Sequence, residues 1–365
     1  MGIALFPPSS KGGEHLLKNH WNRPAVAGNV GGSLLPSDCG FCHTAQHALW
    51  KDSLHARAVG PGLLGQLDVE RDFATALSCF KCHAPLLEQQ EAVVKGDETV
   101  KNSLFNPDLK KAGVTCAVCH VRGGKVYGPR QYGGLKTADG KGKRHFSVES
   151  ADFHKSEFCA ACHQLADGYK LNGKLLVNTY KEWRGSDWAK KGLQCQDCHM
   201  PDRAHLFKGI HDKEMTLRAV ELNITQKKGA ITLSVANVGA GHYFPTYATP
   251  LVVIKAYSVD ASGAVISGSV REDFIGRKVS LDLEREEFDT RIPPGGRHEY
   301  VYKKPPDGTA RVVFEISVYP DKFYFNLFKS LTDNDGAADP GLIKEATVKA
   351  ESSPYLLWKG EAKPN

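Results

Sequence analysis

The sequence predicts an α+β chain in two parts: a mainly helical, loop-rich domain over residues 1–213, then an antiparallel β-sandwich over residues 214–365. Three observations carry this reading. All ten cysteines lie between Cys39 and Cys198, in five pairs of one spacing. From about Met215 the texture changes to β-branched and aromatic runs, several alternating with polar residues and separated by Gly/Pro turns. That second stretch contains no cysteine. With 365 residues, 41% of them hydrophobic, the chain is long enough for two domains and a substantial core. No apolar run reaches the roughly 18 residues that a membrane-spanning helix needs. The N-terminal MGIALFPPSSKGG has neither a basic n-region nor an apolar stretch of useful length, so no export signal is visible. If the protein is exported, that signal has been removed.

The cysteine pairs are Cys39/Cys42, Cys79/Cys82, Cys116/Cys119, Cys159/Cys162 and Cys195/Cys198. Zinc, redox disulfides and covalent haem all use the CxxC spacing. The next residue separates them, because His43, His83, His120, His163 and His199 each follow the second cysteine directly. With only 15 histidines in 365 residues, five in five is not chance, and neither a zinc ribbon nor a CxxC disulfide requires it. Covalent haem does require it. Two thioether sulfurs must reach two vinyl groups of one porphyrin, and residues i, i+3 and i+4 of a helix share a face. That face then carries two anchors and one axial ligand. The sequence therefore predicts five haems c, anchored through the ten cysteines, with the five motif histidines as proximal iron ligands.

First cysteines of successive motifs are 40, 37, 43 and 36 residues apart, a loose repeat that fills the stretch from Cys39 to His199. Segments this short cannot build a conventional core, so the porphyrins are expected to supply much of the buried apolar surface. Crowding should also bring neighbouring macrocycles close together.

Ten further histidines compete for at most five distal positions. Methionine is scarce: of Met1, Met200 and Met215, Met200 directly follows His199 and cannot cross to the far face of the same iron. Mainly bis-histidine haems of comparatively low potential follow. The stretch CHTAQHALWKDSLHA looks helical from Cys39 onward, with His47 on the proximal side of its own haem and so a surface or haem-edge residue. His55 lies about 18 Å along that helix from His43, too far for the first haem and suited to another. His20, beside Trp21, is preferred to His15. His145 is preferred to His154, which stands five residues before Cys159 and has little room to turn. Pro201 should end the last motif helix, after which His205 and His211 can reach other haems; His211 is the preferred distal ligand and His205 the surface residue.

In the second part, AITLSVANV, LVVIKAYSV, HEYVYKK and ARVVFEISVYP read as strands, and GAGH, DASG, PPGG and PPDG as turns, giving seven or eight strands. One loop, GAGHYFPTYATP from Gly239 to Pro250, surrounds His242 with Gly, Pro and aromatic residues. His242 is the fifth expected distal ligand, and His298, in a polar strand, is expected at the surface.

The five CxxCH motifs, the CxxCHxxQxxxWxxSxHA block from Cys39 to Ala56, the CHMP from Cys198 to Pro201 and the later GHxFPT loop resemble the multihaem cytochromes c related to pentahaem nitrite reductase, hydroxylamine oxidoreductase and their tetrahaem electron carriers. The resemblance covers roughly residues 15–250. It implies that His55 is a distal ligand and that the haems stack in parallel and perpendicular pairs. The nitrite reductases usually carry CxxCK at the catalytic haem, whereas every motif here is CxxCH, and hydroxylamine oxidoreductases have more haems. Catalysis therefore does not follow from the resemblance. Electron transfer between redox partners is the expected function. The alternatives are reduction or oxidation of a small nitrogen or sulfur compound at one five-coordinate haem, and a place in a cytochrome filament.

The apoprotein carries +6, with a pI of 8.7, and each ferric haem contributes roughly one negative charge, which brings the loaded protein near neutrality. Between Lys101 and His145 ten Lys or Arg face two acidic residues. This is a solvated loop that also pairs propionates, a docking patch for an acidic redox partner, or an anion funnel in which Arg130, Tyr127 and Tyr132 stand over an open haem. Nucleic acid is excluded as a partner, because the haems offset the charge and no reading motif is present. Covalent haem attachment points to a periplasmic or extracellular location. Mass spectrometry of the denatured protein is expected to show five haems added covalently and no zinc.

Overall fold

The computed structural model describes residues 16–17, 24–67, 73–95, 98–130, 146–227 and 229–364. Two compact units emerge. The first takes in 16–163, 194–207 and 337–342; the second takes in 164–193, 208–336 and 343–364. Set against the expected division at 213/214, residues 164–193 group with the second unit and residues 337–342 with the first.

The first unit is built of short helices. Pro36–Gly40, Phe73–His83, Cys116–His120, Glu157–His163 and Cys195–His199 each carry all or part of a CxxCH motif. The helix expected to run on from Cys39 is interrupted. It stops at Gly40, resumes over Thr44–Trp50 after His43 departs from helical dihedrals, and gives way to turns before His55. Its apolar interior is a set of small clusters: Ala27, Leu86, Leu109, Ala117, Val118 and Val121 in one, Val59, Ala76, Phe80 and Ala84 in another, and Leu17, Phe158 and Ala161 in a third. Buried polar side chains tie these fragments together. Gln89 donates to the carbonyls of Leu109 (2.9 Å) and Gly113 (2.7 Å), and the Glu88 carboxylate accepts from the amides of Ala27 (3.2 Å) and Gly28 (2.8 Å). Such bonds fix chain crossings where side-chain packing alone is thin.

The second unit has the conventional core that the first lacks. Its sandwich strands are β1 (Val220–Lys227), β2 (Ala230–Asn237), β3 (Leu251–Val259), β4 (Arg271–Val279), β5 (Glu286–Asp289), β6 (Arg297–Lys303), β7 (Arg311–Tyr319) and β8 (Tyr355–Ala362). They form two antiparallel sheets, in the orders β5-β4-β3-β7-β8 and β6-β2-β1. Strict alternation in β2 buries Ile231, Leu233 and Val235 on one face. There they meet Ile254, Phe314, Ile316 and Leu357 of the other sheet, the packing of a β-sandwich. The eight strands agree with the sequence reading. Two helices between β7 and β8, Lys322–Asp333 and Pro340–Glu351, do not appear in that reading.

Residues 164–193 join this unit through charge. The fully buried Arg277 of β4 donates to the carbonyls of Leu175 (2.7 Å) and Leu171 (2.8 Å) and to Glu286 (2.8 Å), while Lys174 reaches Glu286 and Asp289. Burial resists ionisation of Asp289, but hydrogen bonds from Arg291 (2.8 and 2.9 Å) and Lys174 (2.8 Å) outweigh it and hold the carboxyl below the usual carboxylate range. A carboxyl depressed in the folded state stabilises at pH above its unfolded value, and that contribution is lost as the pH falls through the folded value. Asp289→Asn is therefore expected to lower stability at pH 7 by about 1–3 kcal/mol. In denaturant melts across pH, the difference from wild type should narrow below about pH 4.

Candidate haem sites

In four of the five motifs both cysteines and the histidine lie within one helix, so the two sulfurs and the imidazole share a face. The first motif departs from that expectation at Cys42. The helix carrying Cys39 ends at Gly40, and Cys42 falls in the turn that follows, exposed to solvent, whereas Cys39 is half-buried. The physical reason is the fold-back of the chain here: the next helix starts only at Thr44, and its His47 packs directly over Gly40, which leaves the intervening turn on the outside. Local pitch nevertheless survives. The amides of Cys42 and His43 both bond the Cys39 carbonyl, at 3.3 and 2.9 Å, so the i, i+3, i+4 relation of the motif is kept by hydrogen bonds outside a regular helix.

The motifs converge on one another. Thiol hydrogen bonds join Cys39 to Cys116, Cys159 to Cys195 and Cys162 to Cys82, and Cys119 lies within electrostatic reach of Cys159 and Cys162. The bond from Cys116 draws Cys39 down to about 7, and burial pushes Cys119 up to about 11. Each of the five anchor pairs thus joins one connected cluster through at least one sulfur; for the first pair that sulfur is Cys39, and Cys42 faces outward.

Two pairs of imidazoles face each other inside the cluster. The ring centroids of His55 and His163 are 6.2 Å apart, and those of His120 and His205 are also 6.2 Å apart. An iron midway between two imidazole nitrogens, each bonded at about 2 Å as in other metal–imidazole sites, would separate the centroids by about 6 Å. The donor set and the spacing fit a six-coordinate haem at each pair. Burial lowers His55 to about 3, helped by the charges of His163 and His199; burial and His199 lower His163 to about 4. Both rings are neutral near pH 7 and present a lone pair. The Nδ1 atoms of His83, His120 and His205 lie 2.6, 2.8 and 2.9 Å from the carbonyls of Ala58, Tyr127 and Arg203. A carbonyl there accepts a hydrogen bond from Nδ1–H, which keeps the proton on Nδ1 and leaves the lone pair on Nε2, the tautomer that ligates metal.

Residues 38–121 match the family described as cytochrome c554 and c-prime. Over 147 residues the chain is 29% identical to a cytochrome c-554 of Nitrosomonas europaea, an alignment spanning 37% of this chain and 59% of that relative's length. Its fold matches that of a penta-heme cytochrome c552 from Thermochromatium tepidum with a TM-score of 0.65 at 19% identity, over 90% of this chain and 99% of the other. These likenesses are to multihaem c-type cytochromes. Haem c is the cofactor that they and the five CxxCH motifs point to.

The other expected ligands have varied places. His20 and His145, together with His15 and Tyr132, lie outside the described residues. His55 is positioned by its neighbours: its carbonyl accepts from the Val114 amide at 2.9 Å, and its ring packs on Phe207 at 4.4 Å. Gly113 makes that crossing possible, with φ +65° and no side chain to collide with the His55 carbonyl. His211 lies in the second unit with its Nε2 2.9 Å from Asp321 Oδ1, so the nitrogen that would ligate iron faces a carboxylate. His242, also in the second unit, turns its Nδ1 to the Tyr243 carbonyl at 2.9 Å. Its loop is tightly held: Glu182 accepts from the Tyr243 amide (3.1 Å) and the Thr246 hydroxyl (2.7 Å), and Asn237 donates to the His242 carbonyl (2.9 Å). His298, expected at the surface, is partly covered, with its Nε2 2.7 Å from the Asp273 carboxylate. His47 folds back on Gly40 and packs against Trp50.

His205 is the residue that sequence reasoning passed over. Asp202, Arg203 and Phe207 all adopt positive φ, at 53°, 63° and 47°, and reverse the chain so that His205 comes over His120. Nothing in PDRAHLF announces three non-glycine residues in that region. Tyr127, named in the anion-funnel alternative, places its carbonyl 2.8 Å from Nδ1 of His120.

In the His242 loop, a methyl group at Gly239 would collide with the Arg218 carbonyl, and one at Gly241 would press on Trp183 and Trp188. Gly239→Ala is expected to lower the thermal midpoint of the second unit by several degrees, the effect of about 1–3 kcal/mol of overpacking. Scanning calorimetry would read it.

Proposed function

We propose that this cytochrome carries five haems c, one on each CxxCH motif, and relays electrons between redox partner proteins outside the cytoplasmic membrane. His55 is assigned opposite His163, and His205 opposite His120. Cys42 is kept as the second anchor of the first haem on the strength of its spacing from Cys39 and His43. The two imidazole pairs at 6.2 Å carry the reading, because each pair could hold an iron from both sides, which would leave no position for a substrate. When bound, haem supplies a one-electron ferric/ferrous couple, and two histidine ligands keep its potential comparatively low.

The chain's own residues support relay in three ways. Rigid supports hold the rings, Phe153 stacking on His120 at 4.9 Å and Phe207 packing on His55, so little need move when charge changes. Contacts among the cysteines link first motif to third, second to fourth and fourth to fifth, which favours short transfers between groups attached there. Among the described residues no helix is long and apolar enough to cross a membrane, consistent with exchange with diffusing partners. His242, with the tautomer and rigid loop suited to ligation, is proposed as a further distal ligand. Acidic partners suit the cation-rich stretch that begins at Lys101.

Electron paramagnetic resonance tests the assignment. In the oxidised protein the haems at His120 and His163 are expected to be low-spin. His55→Gly and His205→Gly should each convert one low-spin haem to high-spin while the mass still shows the full haem complement. Unchanged spectra in both variants would refute the ligand pairs. A high-spin signal in wild type that nitrite or hydroxylamine perturbs would replace relay with catalysis.

A further inference from the structure

Arg122 follows the third motif by two residues and is half-buried against it. Its guanidinium gives hydrogen bonds to the carbonyls of Leu16 (2.9 Å), Ala117 (3.1 Å) and Val121 (2.5 Å), and to that of Val118. Four of the five N–H donors of an arginine are thus spent on neutral oxygens. Among the described residues no carboxylate lies at ion-pair distance, and the nearest acidic influence is Glu88, itself committed to the Ala27 and Gly28 amides. Among the described residues, then, the cation has no carboxylate compensating it at close range.

Its surroundings are haem anchors. Cys119 and Cys162 pack against the same Leu17, Phe158 and Ala161 cluster, Leu16 borders it, and the charge of Arg122 acts on both cysteines. Reducing a ferric haem adds one negative charge. A fixed cation in a poorly solvated place stabilises that charge far more than it would in water.

We propose that Arg122 sets a reduction potential: its positive charge, held on neutral carbonyls beside Cys119 and Cys162, makes the haem attached through Cys116 and Cys119 easier to reduce than its two imidazoles alone would. An electron passing through the cluster then dwells at this motif. The inference rests on the proposed pairing of His205 with His120, and concerns a residue that touches neither iron ligand position. Arg122 acts through its field, as a positioning charge and not as a catalytic residue.

The test follows one haem by potentiometric titration. In a His205→Gly background the high-spin signal marks the haem on His120. Adding Arg122→Gln is expected to lower the ferrous-to-ferric ratio of that haem tenfold or more at a fixed potential, about 59 mV for one electron. Arg122→Lys, which keeps the charge and loses the fork of hydrogen bonds, should leave the ratio within threefold. Glu88→Gln, which removes the opposing charge, should move it the other way. Equal shifts in the Gln and Lys variants, or none in either, would make Arg122 a structural cap and overturn the proposal. If Arg122→Gln fails to retain its haems, Glu88→Gln decides, and a ratio that does not rise counts against the idea. Should His205→Gly give no high-spin signal, the ligand pairing fails by itself. The charge proposal then stands or falls on whether one of the five midpoints follows the order Gln below Lys.

Discussion

Two imidazoles held 6.2 Å apart in a desolvated place are the constraint from which the first unit can be understood. Each ring must be neutral, turned by its other nitrogen or its neighbours, and fixed in orientation before a metal can join it to its partner. Burial supplies the neutrality at His55 and His163. Backbone carbonyls turn His120 and His205, and aromatic packing from Phe153 and Phe207 steadies the rings. Because the two partners of each pair come from distant parts of the chain, each pair would, on the proposed ligation, also be a tertiary crosslink in a unit whose own apolar clusters are small.

The second unit answers a different requirement. Its two sheets bury alternating side chains in one continuous core, the ordinary solution for an antiparallel sandwich, and it needs no cofactor to do so. What it adds is rigidity at chosen loops. Glu182, Asn237 and Arg291 lock the segment around His242, and Arg277 draws residues 164–193 onto β4 by taking three of their carbonyls and Glu286. Buried charge of this kind is stable only when fully partnered. Here each group has several partners.

Electrostatics then differentiates motifs that are chemically alike. Five identical anchor patterns would give similar haems if nothing else acted on them, and a gradient for electrons would be missing. Arg122 and Glu88 around the third motif, with different neighbours elsewhere, break that equivalence without altering a single ligand. The apparent surplus of basic residues near this motif thus has two parts. Arg122 is half-buried and tied to carbonyls, while Lys101, Lys111 and Lys125 face solvent.

Much of the chemistry is local and could be read directly. Two cysteines and a histidine at i, i+3 and i+4 share a helical face by geometry alone, so anchors and proximal ligands follow from spacing, and haem c follows from them. Cys42 marks where that reading stops: its spacing is local, but its place in an exposed turn depends on His47 folding over Gly40. The sandwich was equally legible, because alternation with period two is a local signature of a sheet with one buried face. His55 was singled out on a helix continuous from Cys39, which the structure interrupts; its place 6.2 Å from His163 comes with the chain crossing at Gly113. The approach of His205 to His120 could not be read locally, since three residues with positive φ turn the chain around His205 and none of them is glycine. Nor could the pairing of His211 with Asp321, which joins residues 110 apart. The helices between β7 and β8 and the affiliation of residues 164–193 likewise had no local signal. The sequence by itself determined the spacing that suits covalent haem and which strands alternate. Tertiary structure alone decided which imidazole faces which, because that depends on chain reversals and long-range contacts that no short spacing encodes.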